Sequence, residues 1–158
     1  MERIVPPAPG ATIHASIAAG APLNVSSAFT QMLPGTNIRL SRGGAGSATV
    51  YTVTGTRFGA VQTEIINSNG ASDVEGVKIF DTVTNLASDV DPGTTTVVKT
   101  GLIIGTAMTF ASIRYLGVGA NGANGVVETA TATAAKDGFT PTSTPDGSKV
   151  FQIYYQLS

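Results

Sequence analysis

From about residue 23 onward, apolar and polar residues alternate along this chain with a period of two rather than 3.6. Alternation of this kind marks strands with one buried face, because successive side chains on an extended backbone point to opposite sides. The C-terminus is the cleanest case: Phe151, Ile153, Tyr155 and Leu157 share one face, and Val150, Gln152, Tyr154 and Gln156 the other. Val77, Ile79, Asp81 and Val83 alternate with Lys78, Phe80, Thr82 and Thr84, which predicts one strand with apolar residues on both faces. Residues 48–54 and 57–66 form two runs joined at Gly55-Thr56, which predicts a hairpin turning there. Residues 94–100, 108–116 and 126–133 add three runs, and residues 23–28 and 38–41 two shorter ones. Between them fall Gly43-Gly44-Ala45-Gly46, Asn69-Gly70, Asp91-Pro92-Gly93, Asn121-Gly122, Asn124-Gly125 and Pro145-Asp146-Gly147, residue types that accept the positive φ of tight turns. Helix is expected only over residues 27–33, from a Ser27 cap to the stop at Pro34-Gly35.

This pattern predicts an all-β chain: a single-domain antiparallel β-sandwich, jelly-roll-like, over residues 23–158. Residues 1–22 read differently. Pro6, Pro7, Pro9, Gly10, Gly20 and Pro22 punctuate a thin apolar text, so an extended N-terminal arm is expected. Its apolar residues Ile4, Val5, Ile13 and Ile17, with His14, are candidates for lying on a neighbouring subunit by strand addition.

Composition narrows the function. Charged residues make up 12% of the chain, against ~25% in an ordinary soluble domain. Thr, Ala and 19 glycines fill the gap. A surface of this kind suits packing against other protein, since buried unpaired charge is costly. A formal net charge of -1 offers no long-range attraction for nucleic acid or an anionic membrane. No cysteine is present, which excludes disulfides and thiolate metal sites. The opening residues 1–7 hold no uninterrupted apolar stretch, so no secretory signal is expected, and Asn24-Val25-Ser26 is a glycosylation sequon by spelling alone.

No motif carries chemistry. Gly117-Val118-Gly119-Ala120-Asn121-Gly122 fits G-x-G-x-x-G, with Asp137 downstream, but the following residues continue a turn and start a strand. Without a helix N-terminus the motif has no phosphate site, and residues 117–125 read as a glycine-rich loop. His14 is the only histidine and sits in the arm without a nucleophile and acid in view. The pairs Asp73/Glu75 and Asp89/Asp91 supply too few oxygens for a tight calcium site. Asp81, Glu64 and Glu128 are the acids a β-sandwich hydrolase would have to recruit, and they are isolated in sequence. Catalytic, cofactor and metal residues are therefore not assigned. The arginines are scattered; Arg39 and Arg42, with the loop residues Asn121 and Asn124, are candidates for interface contacts.

Short Thr/Val strands (residues 47–55, 75–84 and 94–101), Asn-Gly and Gly-rich turns, no Cys or Trp, a Pro-rich arm and a terminal strand together resemble tailed-bacteriophage capsid decoration (cement) proteins. The resemblance implies a jelly roll or related sandwich on the outside of a phage capsid. It would bind the major capsid protein and copies of itself, as dimer or trimer, and lock the shell. It implies synthesis in the host cytoplasm and residence in the virion. The competing expectation is a phage tail or fibre part, or a receptor- or carbohydrate-binding β module.

Overall fold

A computed structural model describes residues 2–32, 34–120, 126–128 and 130–157, with backbone alone described for 113–120, 126–128 and 155. The strands in chain order are β1 (Glu2–Ile4), β2 (Thr12–Ile17), β3 (Asn24–Val25), β4 (Thr36–Arg42) and β5 (Val50–Arg57). Next come β6 (Ala60–Asn67), β7 (Asp73–Phe80), β8 (Thr82–Ser88), β9 (Thr96–Gly105) and β10 (Ser112–Ala120). The last are β11 (Val126–Glu128), β12 (Ala130–Ala132), β13 (Gly138–Pro141) and β14 (Lys149–Gln156). The chain is all-β, every pairing is antiparallel, and the described residues contain no helix.

Hydrogen bonding divides the strands among three sheets. One has the order β3-β8-β5-β6; a second has β12-β13-β9-β4-β7, with β2 also on β9; the third has β1-β14-β10-β11. The first two close over a core that includes Ile38, Leu40, Tyr51, Val53, Phe80, Leu86 and Val98. A second cluster, Ile4, Ile104, Phe139, Phe151 and Ile153, joins the third sheet to β9 and β13. Long β9 serves both, with Val98 in one core and Ile104 in the other.

Several sequence expectations are displaced. The β5–β6 hairpin exists, but it turns at Phe58-Gly59, where φ is 52° and 76°, rather than at Gly55-Thr56. Two consecutive positive φ values are those of a tight hairpin turn. Gly55 lies within β5, at a position where a Cβ would collide with the Thr82 carbonyl. The run 77–84 is two strands in two sheets, broken at Asp81, and this sheet change explains its apolar residues on both faces. Residues 27–32 are not helical: Ala28 has φ 63°, and the amides of Thr30 and Met32 donate to the carbonyls of Ile13 and Asp81 instead. The run 23–28 contracts to two strand residues. Residues 117–120 of the expected glycine loop belong to β10, paired with β14; residues 121–125 lie outside the described ones.

The arm is extended, and it lies on its own molecule. β1 pairs with β14 in the register Arg3↔Gln152, and β2 pairs with β9. Residues 18–22, which lead from β2 towards β3, are exposed throughout.

Candidate interaction surface

The outer face of the β3-β8-β5-β6 sheet follows from register. Core-facing Tyr51, Val53 and Arg57 of β5 alternate with outward Val50, Thr52, Thr54 and Thr56. Their partners on β6 are Asn67, Ile65, Thr63 and Val61. On β8, Ala87, Asn85 and Thr82 pair with Thr52, Thr54 and Thr56, and Asn24 of β3 pairs with Ala87. None of these outward residues is charged. Two large apolar side chains stand open on it, Val61 at 76% and Ile65 at 65% exposure. Cross-strand bonds hold the polar members in place: Thr56 Oγ1 to Thr82 Oγ1 at 2.7 Å, and Asn85 Nδ2 donating to Asn24 Oδ1 at 3.1 Å. The result is a neutral surface, its polar members tied across strands, whose burial strands no charge.

The edge of this face is tied to β7 by side chains. Glu64, 7% exposed, accepts the amides of Val77 (2.6 Å) and Lys78 (3.1 Å) on one carboxylate oxygen. Gln62 Nε2 donates to the Ile79 carbonyl, and Lys78 Nζ donates to the Thr63 carbonyl at 2.8 Å. Beside this seam runs a groove of about 310 Å³. Val77, Ile79 and Ile103 are among the residues that line it, with Ala132, Thr133 and Ala135 of the β12–β13 hairpin. Its size is at the lower end for small-molecule pockets.

The carboxylates have internal work. Asp89 accepts the Val50 amide, Asp91 those of Gly93 and Gly20, Asp146 those of Ser148 and Lys149, and Glu2 that of Ala107. Glu75 accepts from Leu102 N and Asn37 Nδ2, both at 2.8 Å. The Gly93 and Gly20 amides hold the Asp91 carboxyl below its ordinary range, and the Ser148 and Lys149 amides do the same for Asp146. Asp73 is lowered by the Ser41 hydroxyl and then by Arg39, whose guanidinium lies 3.0 Å away. Asp81 and Asp137 flank one cation: Arg57, 7% exposed, meets Asp81 Oδ1 at 2.6 Å, and its Nε is 3.5 Å from Asp137 Oδ2. The same guanidinium donates to the Thr106 carbonyl at 2.7 Å, and the Phe58 ring lies over it at 3.8 Å. This buried ionic knot fastens the β5–β6 turn, the β7–β8 corner and the β12–β13 hairpin. Among the described residues no three metal-ligating side chains converge.

Of the arm residues, Ile4 and Ile13 are seated in the chain's own two cores at 4% and 2% exposure. Ile17 packs against the first core, and the His14 ring meets Phe29 at 4.9 Å. Val5 is open, at 47%. Arg42 is turned inward. It is buried and donates to Ser47 O (3.1 Å), Ser68 Oγ (3.2 Å), Ala71 O (3.1 Å) and the Pro92 carbonyl, so it clamps three loops and is not free for a partner. Arg39 is half-exposed on β4. Asn121 and Asn124 lie outside the described residues. The neutral sheet face is not among the sequence expectations, although the alternating threonines of residues 52–56 are its signal. No known family model, no curated protein and no solved structure matches the chain.

Proposed function

We propose that this chain is a viral structural protein, a capsid decoration protein that binds the outside of a phage shell and stabilises it through contacts between subunits. The observation that carries this reading is the uncharged outer face of the β3-β8-β5-β6 sheet, with Val61 and Ile65 standing open on it. Its three long strands, about 4.8 Å apart and about 27 Å long, cover roughly 400 Å². That is about half of what one partner contributes to a standard interface. A surface of this size suits a lattice, where several modest contacts per subunit add up. Major capsid protein and further copies of the chain are the proposed partners.

Counting and locating the chain in purified particles tests the reading. Hundreds of copies at regular lattice points are expected. A few copies at one vertex would move the chain to the tail, and absence from particles would overturn the proposal. The groove beside β7 favours one alternative, a fibre or receptor-binding module that takes a sugar or peptide there. A glycan array without a hit, with binding to shells intact, would remove it.

A further inference from the structure

We infer that the N-terminal arm exchanges between copies: residues 2–17 of one chain occupy, on a second copy, the places they fill on their own. The inference rests on the assembly reading for its use in the particle, and on the fold alone for its mechanism. Both arm strands are added at edges, β1 along β14 and β2 along β9. Each brings one deeply buried anchor, Ile4 into one core and Ile13 into the other. An identical arm from a neighbour would make the same pairs and fill the same two sockets, so closed and exchanged forms differ only in the connection.

That connection, Ala18-Ala19-Gly20-Ala21-Pro22, is exposed along its whole length and adds no side chain to either core. Its closed path depends on Gly20, whose φ is 120°, a conformation that residues with a side chain rarely adopt. The Gly20 amide is held by Asp91 Oδ2 at 3.1 Å. Space is not what requires glycine, since nothing lies within 4 Å of where a Cβ would stand. Backbone conformation is. Opened to an extended path, the five residues reach about 17 Å, enough to carry the arm to an adjacent molecule. The lost Gly20–Asp91 bond is the main cost, and high local concentration in an assembly offsets it.

The chain has no cysteine, so a disulfide can report where the arm lies. Arg3 and Gln152 are opposed across β1 and β14, and directly opposed positions on antiparallel strands are about 4.5–5.5 Å apart at Cα, within disulfide reach. The Arg3→Cys/Gln152→Cys variant, refolded over a range of protein concentrations and oxidised, is run without reductant beside each single-cysteine variant. Exchange predicts covalent dimers or a ladder that grows with concentration and exceeds both controls. Adding Gly20→Val, which disfavours the closed path, predicts at least a fivefold rise in the interchain fraction at a given concentration. Covalent monomer alone at every concentration, in both backgrounds, would overturn the inference. If Gly20→Val does not fold, the series with the native connection decides. Because the gel reads the isolated chain, interchain bonding in a protein absent from particles would uphold exchange and remove the assembly reading, and the reverse pair of results would do the opposite.

Discussion

At the scale of single residues, Arg42, Arg57 and Glu64 are the buried charges among the described residues, and each is hydrogen-bonded within the chain. Arg57 neutralises Asp81 and Asp137 together, and removing it leaves two carboxylates facing each other in a partly dry site. Breaking such a buried arrangement costs about 3–5 kcal/mol. Arg57→Met is therefore expected to lower urea-unfolding stability by that amount, and a loss under about 1 kcal/mol would show that the knot is ornamental. The exposed carboxylates make a different prediction. Asp73, Asp91 and Asp146 all have lowered pKa values, set by the Ser41 hydroxyl with Arg39, by the Gly93 and Gly20 amides, and by the Ser148 and Lys149 amides. A folded-state pKa below the unfolded value of about 3.9 gives stability that is present above that pH and lost as pH falls through the lowered values. The thermal midpoint should be level from about pH 7 to 5 and drop below about pH 4, and the combined Asp91→Ala/Asp146→Ala variant should flatten the drop. An unchanged acid limb in that variant would contradict the assignment.

At the scale of elements, the period-two pattern was enough to find most strands, because alternation reports one-sided burial directly. The C-terminal run became β14, with Phe151 and Ile153 buried as its alternation required, although Val150 of the other face is buried too and Leu157 stands open beyond the strand. Boundaries were less legible wherever a tertiary contact decided them. The pair Gly55-Thr56 spells a turn, yet β8 passes so close to Gly55 that the glycine is needed within the strand, and the chain turns at Phe58-Gly59. Asp81 looks like one more alternating position until Arg57, distant in sequence, makes it a corner between sheets. Arg42 read as an interface candidate because nothing local shows that three loops close around it. Gly55→Ala is expected to destabilise the fold by about 1–3 kcal/mol through overpacking against a backbone carbonyl, measured by denaturant unfolding. A neutral result would place the Thr82 carbonyl further away than the structure has it.

At the scale of the whole molecule, the arm closes both cores, and the neutral sheet face is left over. Deleting residues 1–22 removes Ile4 and Ile13 from their sockets and leaves edges of β14 and β9 bare. Loss of a buried Ile side chain costs about 2–5 kcal/mol at each site, so the deletion is expected to abolish cooperative unfolding near room temperature rather than shed a passive tail. A truncated chain with an unchanged thermal midpoint would contradict this. The outer sheet face behaves oppositely. Ile65→Asp places a charge where the side chain is already open, so folding stability should change by no more than about 0.5 kcal/mol. The central claim is that this neutral face is covered by other protein in the working assembly. A cryo-EM map of a particle carrying the chain tests it most directly: density from a neighbouring subunit against Thr54, Val61 and Ile65 is the predicted result, and a map in which that face looks onto open solvent would contradict the account.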